Sequence, residues 1–95
     1  MEWSTCYTGK MTVFPNYYRC LGETIRAARK RVAISQMVLA ERAGVTRRFL
    51  QELENGRSDV SLLTLLRLSA ALDMTLSDVC AQIEQAMTTK SDRVV

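Results

Sequence analysis

Apolar side chains recur every three or four residues from residue 21 onward, which is the period of an α-helix with one buried face. One such run fills residues 21–32, and a leucine-rich run follows Ser61. A further run predicts the fifth and last helix, α5, after Thr75; its apolar members form the α5 stripe, which consists of Leu76, Val79, Cys80, Ile83 and Met87. With two shorter segments between them, these runs predict an all-α domain of five helices.

Residues suited to helix caps indicate where the helices begin and end. A side-chain hydroxyl can accept a hydrogen bond from a first-turn N–H, and four hydroxyl residues precede apolar runs, namely Ser35, Thr46, Ser61 and Thr75. Gly44 and Gly56 follow the second and third runs, and glycine readily adopts the left-handed conformation that ends a helix. The third helix is therefore predicted over residues 47–55.

The two ends of the chain differ from its middle. The first 20 residues hold five of the six aromatic side chains. Three interpretations of residues 1–20 stay open: a flexible arm, a small packed or dimer-swapped ribbon, or upstream sequence before a start at Met11. The polar residues 88–95 are expected to form a frayed tail, which leaves residues 21–87 as the folded domain.

Composition argues against several classes of chemistry. The 95 residues include no histidine, so the commonest general base and zinc ligand are missing. Cys6, Cys20 and Cys80 form no C-x-x-C pair, which argues against a zinc ribbon and a disulfide scaffold. Neither a membrane-spanning run nor a signal-peptide pattern is found. We expect a cytoplasmic protein that has no metal, no cofactor and no enzymatic activity.

Positive charge is concentrated in one part of the chain. The net charge is +3, but residues 19–57 contain nine basic and four acidic residues, and the remainder is net acidic. A basic segment beside a mildly acidic one favours a face that binds a polyanion. The same charges are also compatible with ordinary solvated helix surfaces.

Residues 36–53, QMVLAERAGVTRRFLQEL, have the spacing of two short helices joined by a tight turn. Ala40 is small where the second helix must cross the first, and Gly44 tolerates the positive φ of the turn. The apolar contacts that hold the second helix are expected from Val45, Leu50 and Leu53. This pattern predicts a helix-turn-helix; the alternative is an ordinary helical hairpin with basic residues facing solvent.

Three stretches resemble, in order and spacing, the Cro/phage-repressor or XRE-type helix-turn-helix family: LGETIRAARK, ISQMVLAERAGVTRRFLQELENG and SLLTLLRLSAALDMTLSDV. The resemblance implies a compact five-helix, lambda-repressor-like domain that usually binds DNA as a dimer. The sequence is similar, more loosely, to HipB-type antitoxins and to controller proteins of restriction-modification systems. Ala33 and Asp73 stand where the family often has glycine, which predicts strained or differently shaped turns.

The helix at residues 47–55 is expected to lie in the major groove, where its N-terminal residues meet base edges. Arg47 and Arg48 are the main candidates, because a guanidinium group matches the O6/N7 edge of guanine. Phosphate contact or plain solvation is the alternative for both. Gln51 is a further candidate. The resemblance places Glu52 at a base-contacting position, where it either accepts from cytosine N4 or remains an exposed surface charge.

Contacts to the DNA backbone are expected around the same helix. The resemblance implies that Gln36 bonds a phosphate, at a helix N-terminus whose free N–H groups favour an anion. Arg57 and Ser58 follow the recognition helix and are positioned to contact the backbone. Thr46, the cap, belongs to the same surface, and Phe49 either packs in the core or touches the sugar-phosphate with its ring edge.

Two further expectations concern the scaffold. The resemblance implies a partly buried salt bridge between Arg29 and Glu54 that fixes the angle of the recognition helix. Because one recognition helix contacts few bases, a homodimer is expected, with half-sites about 34 Å apart. The α5 stripe, with part of the fourth helix, is the predicted dimer interface; alternatively, the stripe closes the monomer core.

The sequence therefore favours a sequence-specific, DNA-binding transcriptional regulator, most simply a repressor. One alternative is an antitoxin that binds a toxin protein and also represses its own operon. Another is the controller protein of a restriction-modification system.

Overall fold

The computed structural model describes the backbone of residues 16–94 and the side chains of residues 16–88. The helices in this part of the chain are α1 (Tyr17–Arg31), α2 (Gln36–Ala43), α3 (Arg47–Glu54), α4 (Leu62–Ala71) and α5 (Leu76–Val94). No strand occurs among these residues, so the predicted all-α, five-helix architecture is confirmed. The predicted N-terminal arm covers residues 1–20: its residues 17–20 belong to α1, and residues 1–15 lie outside the described part.

Three helix boundaries differ from those predicted, the smallest difference being that α3 ends at Glu54 rather than at residue 55. α1 begins at Tyr17 rather than at residue 21. Cys20 is fully buried, and its N–H donates to the Asn16 carbonyl at 2.9 Å, so this first turn is part of the packed helix. α5 continues beyond Met87 to Val94. The end of the apolar stripe at Met87 therefore does not mark the end of the helix.

All four predicted N-terminal caps are present. Each capping oxygen accepts a hydrogen bond from the N–H three residues further on, at 3.0–3.1 Å, the capping residues being Ser35, Thr46, Ser61 and Thr75. Such a bond satisfies one of the free donors in the first turn. Because Thr46 caps α3, Arg47 and Arg48 occupy the first turn of that helix.

The first four helices end in a common motif. After a left-handed residue, the next N–H donates to the carbonyl oxygen five residues back, as in a Schellman ending. The left-handed residues have φ between 57° and 76° and are Ala33, Gly44, Gly56 and Asp73. This conformation strains a residue that has a Cβ atom by about 1 kcal/mol or more. Ala33 and Asp73, which replace the glycines often found in the family, therefore form turns of the same shape as those at Gly44 and Gly56, but with backbone strain.

The core forms around α1, which packs against α3 and α5, while α2 packs against α3 and α4. Fully buried side chains come from all five helices and include Leu21, Ile25, Leu39, Leu50, Leu53, Leu68 and Val79. Burial of leucine, isoleucine and valine side chains is the main source of stability in a domain of this size. The core thus fixes α3 along its inner side and leaves its opposite side open.

Candidate nucleic-acid interface

A tight turn at Gly44 joins α2 to α3. Gly44 has a φ of 71°, and the N–H of Val45 donates to the Ala40 carbonyl at 3.0 Å. Ala40 is 3% exposed and Val45 packs against the core. The small residue, the left-handed glycine and the apolar anchor therefore occupy the places that the sequence pattern predicts for a helix-turn-helix.

The two faces of α3 differ in chemistry. Leu50 and Leu53 are fully buried against the scaffold. Arg47 and Arg48, in the first turn, are exposed. The N-terminal end of α3 thus presents two guanidinium groups to solvent on a helix that cannot rotate without exposing its leucines.

Beyond the first turn, the surface of α3 is more mixed. Gln51, Glu52 and Ser58 are half-buried. Arg57 Nη1 lies 3.8 Å from Glu52 Oε2, and their side chains are 67% and 40% exposed. A pair this long and this open to solvent contributes little to stability. Both groups can therefore be drawn apart by a charged partner.

Phe49 and Thr46 have roles inside the domain. Phe49 is half-buried and packs against the core, and its N–H donates to Thr46 Oγ1 at 3.0 Å. The packing alternative for Phe49 is therefore present in the structure, with part of the ring left accessible. Thr46 itself is exposed beside Arg47.

Arg29 and Glu54 form the predicted salt bridge between α1 and the end of α3. Arg29 Nε donates to Glu54 Oε2 at 2.7 Å, and Arg29 Nη2 donates to Oε1 at 3.0 Å. The Nη1 group donates to the Ile34 carbonyl at 3.0 Å. Arg26 Nε lies 3.6 Å from Glu54 Oε1. A fully buried carboxylate is thus held by two arginines of a single helix.

These contacts shift the pKa values of both Glu54 and Arg29. Burial raises the pKa of Glu54, but the hydrogen bonds from Arg29 and Gln36 and the charges of Arg29 and Arg26 outweigh it, so the pKa lies below its ordinary value. The hydrogen bond to Glu54 raises the pKa of Arg29, against the effect of burial. The bridge is therefore a fixed charge pair at neutral pH.

Gln36 has a partner inside the protein that the sequence did not indicate. Its Nε2 donates to Glu54 Oε1 at 3.0 Å, so the side chain is already bonded within the protein. A side-chain amide has two N–H donors. One donor therefore remains for an external acceptor, with the amide held at the N-terminus of α2.

An open cleft of about 420 Å³ lies where α1, α2 and α3 meet. It is lined by Arg29, Ser35, Gln36, Met37 and Arg47. The cleft brings together three predicted site residues, and Met37, 55% exposed, is an addition that no sequence pattern indicated. It joins the positive N-terminal end of α2 to the first turn of α3.

Arg26 is also absent from the predicted site. The contribution of Arg26 to the salt bridge could have been predicted from the sequence. Arg29 follows Arg26 by three residues, and residues three apart lie on one face of a helix.

The predicted use of the α5 stripe as a dimer interface is wrong for its central residues. Val79 is fully buried and Ile83 is 6% exposed, and both belong to the monomer core. Leu76 and Met87 are half-buried and pack against the same core, while Cys80 is exposed. α1 lies across α5 and covers this part of the stripe, so Val79 and Ile83 close the monomer core.

Exposed apolar surface lies instead on α4. Leu62, Leu63 and Leu66 are 64%, 57% and 45% exposed, and we call them the α4 leucine patch. Leu66 follows Leu62 by four residues and Leu63 by three, so it lies beside both on the helix surface. Sequence reasoning treated the leucines of this segment as one set, because its high leucine content hides which side faces the core.

No helix of residues 16–94 combines the length and apolar character needed to cross a membrane. Among the side chains of residues 16–88, no group of histidine, cysteine, aspartate and glutamate is arranged to hold a metal ion.

An arginine-bearing helix after a glycine turn, seated on a helical core, defines a helix-turn-helix DNA-binding protein. Residues 25–79 match the family described as Helix-turn-helix. The control protein C.MunI from Mycoplasma sp is 34% identical over 65 residues, which are 67% of this chain and 88% of that protein.

Solved structures agree with this assignment. The clp gene regulator ClgR from Corynebacterium glutamicum superposes with a TM-score of 0.77 at 28% identity, over 81% of this chain and 82% of that one. The restriction-modification controller protein C.AhdI from Aeromonas hydrophila superposes with a TM-score of 0.64 at 29% identity, over 70% of this chain and 98% of that one. The chain belongs to the XRE-type helix-turn-helix family and is a DNA-binding transcriptional regulator.

Proposed function

We propose that this regulator binds a specific duplex sequence by laying α3 in the major groove, with Arg47 and Arg48 at base edges. The observation that carries the proposal is the exposure of these two arginines on a helix whose opposite face is fully buried at Leu50 and Leu53. Each bidentate arginine–guanine contact contributes about 1–3 kcal/mol of discrimination. The protein acts as a binding module rather than an enzyme, in the cytoplasm, where the DNA is.

Phosphate contacts surround this centre. The free amide donor of Gln36 and the N-terminal N–H groups of α2 suit one phosphate, and Arg47 lies across the same cleft. Arg57 and Ser58, beyond the end of α3, suit another. These groups position α3 but carry no sequence information.

The test is binding of a duplex that the wild-type protein selects from a random pool. Arg48→Ala should weaken binding to this duplex about tenfold or more and leave thermal stability unchanged. Arg31→Ala is the matched control, because that arginine is exposed and its Nη2 contacts the Met74 sulfur at 3.4 Å, at the turn between α4 and α5. An unchanged affinity of the Arg48 variant would remove this residue from the interface.

The regulator acts as a homodimer in this proposal, and the α4 leucine patch is its contact with a second copy. A two-fold contact must be complementary to itself, and an exposed cluster of leucines meets this condition without unpaired charges. The patch lies on α4, which packs mainly against α2 and α5. Pairing through it leaves both copies of α3 free for successive half-sites.

Analytical ultracentrifugation tests the dimer. Leu63→Glu should give a folded monomer, because this side chain is 57% exposed and lies outside the core. Ala27→Glu, at an exposed position on α1, is the control and should remain dimeric. A wild-type monomer at micromolar concentration, or a dimeric Leu63→Glu, would refute the interface.

A controller of a restriction-modification system is a second candidate, supported by the likeness to C.MunI and C.AhdI. It predicts that the selected sequence matches DNA upstream of the protein's own gene and beside an endonuclease reading frame. A selected sequence that lies elsewhere in the genome would favour a regulator of other genes. The antitoxin alternative predicts instead a partner protein that co-purifies from the native source.

A further inference from the structure

Gly22, in the middle of α1, is the point of closest backbone approach between α1 and the recognition helix. A Cβ atom placed on it would lie 2.4 Å from the Leu53 carbonyl oxygen, 2.9 Å from the Glu54 carbonyl oxygen and 3.0 Å from the Glu54 carbonyl carbon. All three are backbone atoms, so no change of rotamer relieves the overlap. Carbon–oxygen contacts normally lie about 3.3–3.6 Å apart, so α3 would have to withdraw by about 1 Å.

The same face of α1 holds the end of α3 by charge. Arg26 and Arg29 follow Gly22 by four and seven residues, which places all three on one side of the helix. Both arginines contact Glu54, the last residue of α3. Gly22 therefore allows the close approach that these two ion pairs hold in place.

The other end of α3 is fixed differently. Its first turn follows the Gly44 turn and is capped by Thr46, and neither group contacts Gly22. A side chain at residue 22 would push only the C-terminal end of α3 outward, so the helix would swing about its N-terminal turn. That swing would change the angle at which the side chains of Arg47 and Arg48 project from the protein surface.

We propose that Gly22 is a specificity-determining positioning residue, whose missing side chain sets the angle of α3 in the major groove. This inference rests on the proposed placement of α3 against base edges. Binding groups need to be held to within about 0.5 Å of their working geometry. The withdrawal of about 1 Å falls at the C-terminal end of α3, so it displaces the candidate base contacts of Gln51 and Glu52 directly and reaches Arg47 and Arg48 as a tilt of the helix. Phosphate contacts are less directional and should tolerate it.

The experiment compares Gly22→Ala with the wild type on two duplexes of equal length, the selected duplex and one of random sequence. The ratio of the two dissociation constants is the readout, because partial unfolding weakens both equally and leaves the ratio unchanged. We expect the ratio to fall about tenfold or more, while affinity for the random duplex changes less than about twofold.

Val79→Ala is the control for lost stability, because Val79 is fully buried in the core and on α5. Its ratio should equal that of the wild type. Sucrose, which favours compact states, raises the folded fraction of both variants. If the Gly22→Ala ratio measured in sucrose equals that of the wild type, or if this variant stays unfolded in sucrose, Gly22 serves only folding and the proposal is overturned.

The outcomes also separate this inference from the function on which it rests. A wild-type protein that selects no duplex overturns both. A wild-type protein that selects a duplex, with an unchanged ratio in Gly22→Ala, overturns only the role of Gly22.

Discussion

The hydroxyl of Tyr17 donates a 2.7 Å hydrogen bond to Oδ1 of Asp59, which lies 42 residues further along the chain. The same oxygen accepts the N–H of Val60 at 2.8 Å. The first turn of α1 is thereby tied to the loop between α3 and α4, just after Arg57 and Ser58. The loop that offers the proposed phosphate contacts is thus bound to the scaffold.

This bond gives the protein a pH dependence on the alkaline side. Burial, the hydrogen bond to Asp59 and the charge of Asp59 raise the pKa of Tyr17 from 10.0 to about 12. Because the folded-state pKa is the higher one, the stabilisation is complete below pH 10 and is lost as the pH rises towards 12. Tyr17→Phe should remove this loss, which urea denaturation at about pH 9 and about pH 11 measures. Tyr18→Phe, at the exposed neighbour, should keep the wild-type slope; equal slopes in the two variants would contradict the assignment.

The salt bridge of Glu54 predicts a dependence at acid pH. Since the pKa of Glu54 is lowered, its stabilisation is present above the ordinary value of 4.5 and is lost as the pH falls through the folded-state pKa. Glu54→Gln should cost about 3 kcal/mol at neutral pH, because it leaves Arg29 without its partner charge. It should also flatten the acid limb of the stability curve. Glu41→Gln, at an exposed glutamate of α2, should do neither.

The strained turns predict two stabilising substitutions. Ala33→Gly should raise the free energy of unfolding by about 0.5–1 kcal/mol, because glycine removes the left-handed strain and loses some of that gain through its greater freedom when unfolded. Asp73→Gly should gain less, since aspartate tolerates this region better than alanine. Thermal unfolding measures both as a rise of a few degrees. Ala27→Gly, within α1, should lower stability instead, and a similar loss at Ala33 would show that its turn carries no strain.

The weak pair of Arg57 and Glu52 predicts opposite effects on binding to random-sequence duplex. Arg57→Ala should weaken this binding and reduce the slope of log affinity against log salt by about one. Glu52→Gln should strengthen it up to about fivefold, because it frees Arg57 and removes a negative charge near the phosphates. Lys30→Ala, at an exposed position of α1, should leave the slope close to wild type. A slope that Arg57→Ala does not change would place Arg57 outside the phosphate contacts.

The local features of the fold were predictable because each rests on neighbours in sequence. Ser35, Thr46, Ser61 and Thr75 cap helices through residues three positions away, and the left-handed residue Gly44 ends α2 through its own backbone. The exposed Arg47 and Arg48 followed from the position of the cap. The pairing of Arg29 with Glu54 was expected only by resemblance, since nothing local links residues of two helices.

The errors concern surfaces that depend on how helices lie against each other. An apolar stripe such as that around Ile83 predicts that a helix face is buried, but it does not identify the partner that buries it. Here the partner is α1 of the same chain. On α4 the sequence does not show which leucines are exposed. Leu62 and Leu63 have the same side chain as the buried Leu65 and Leu68. The bond from Gln36 to Glu54 likewise joins residues 18 positions apart and has no sequence signal.

The meeting of three helices at Glu54 has a mechanical consequence. α1 contributes Arg26 and Arg29, α2 contributes Gln36, and α3 contributes the carboxylate itself, so the scaffold and both helices of the motif share one anchor. No hinge separates the surface that meets DNA from the body that supports it. The domain therefore approaches the double helix as a rigid body, and adaptation to a particular operator must come from bending of the DNA or, in the proposed dimer, from the junction between two copies.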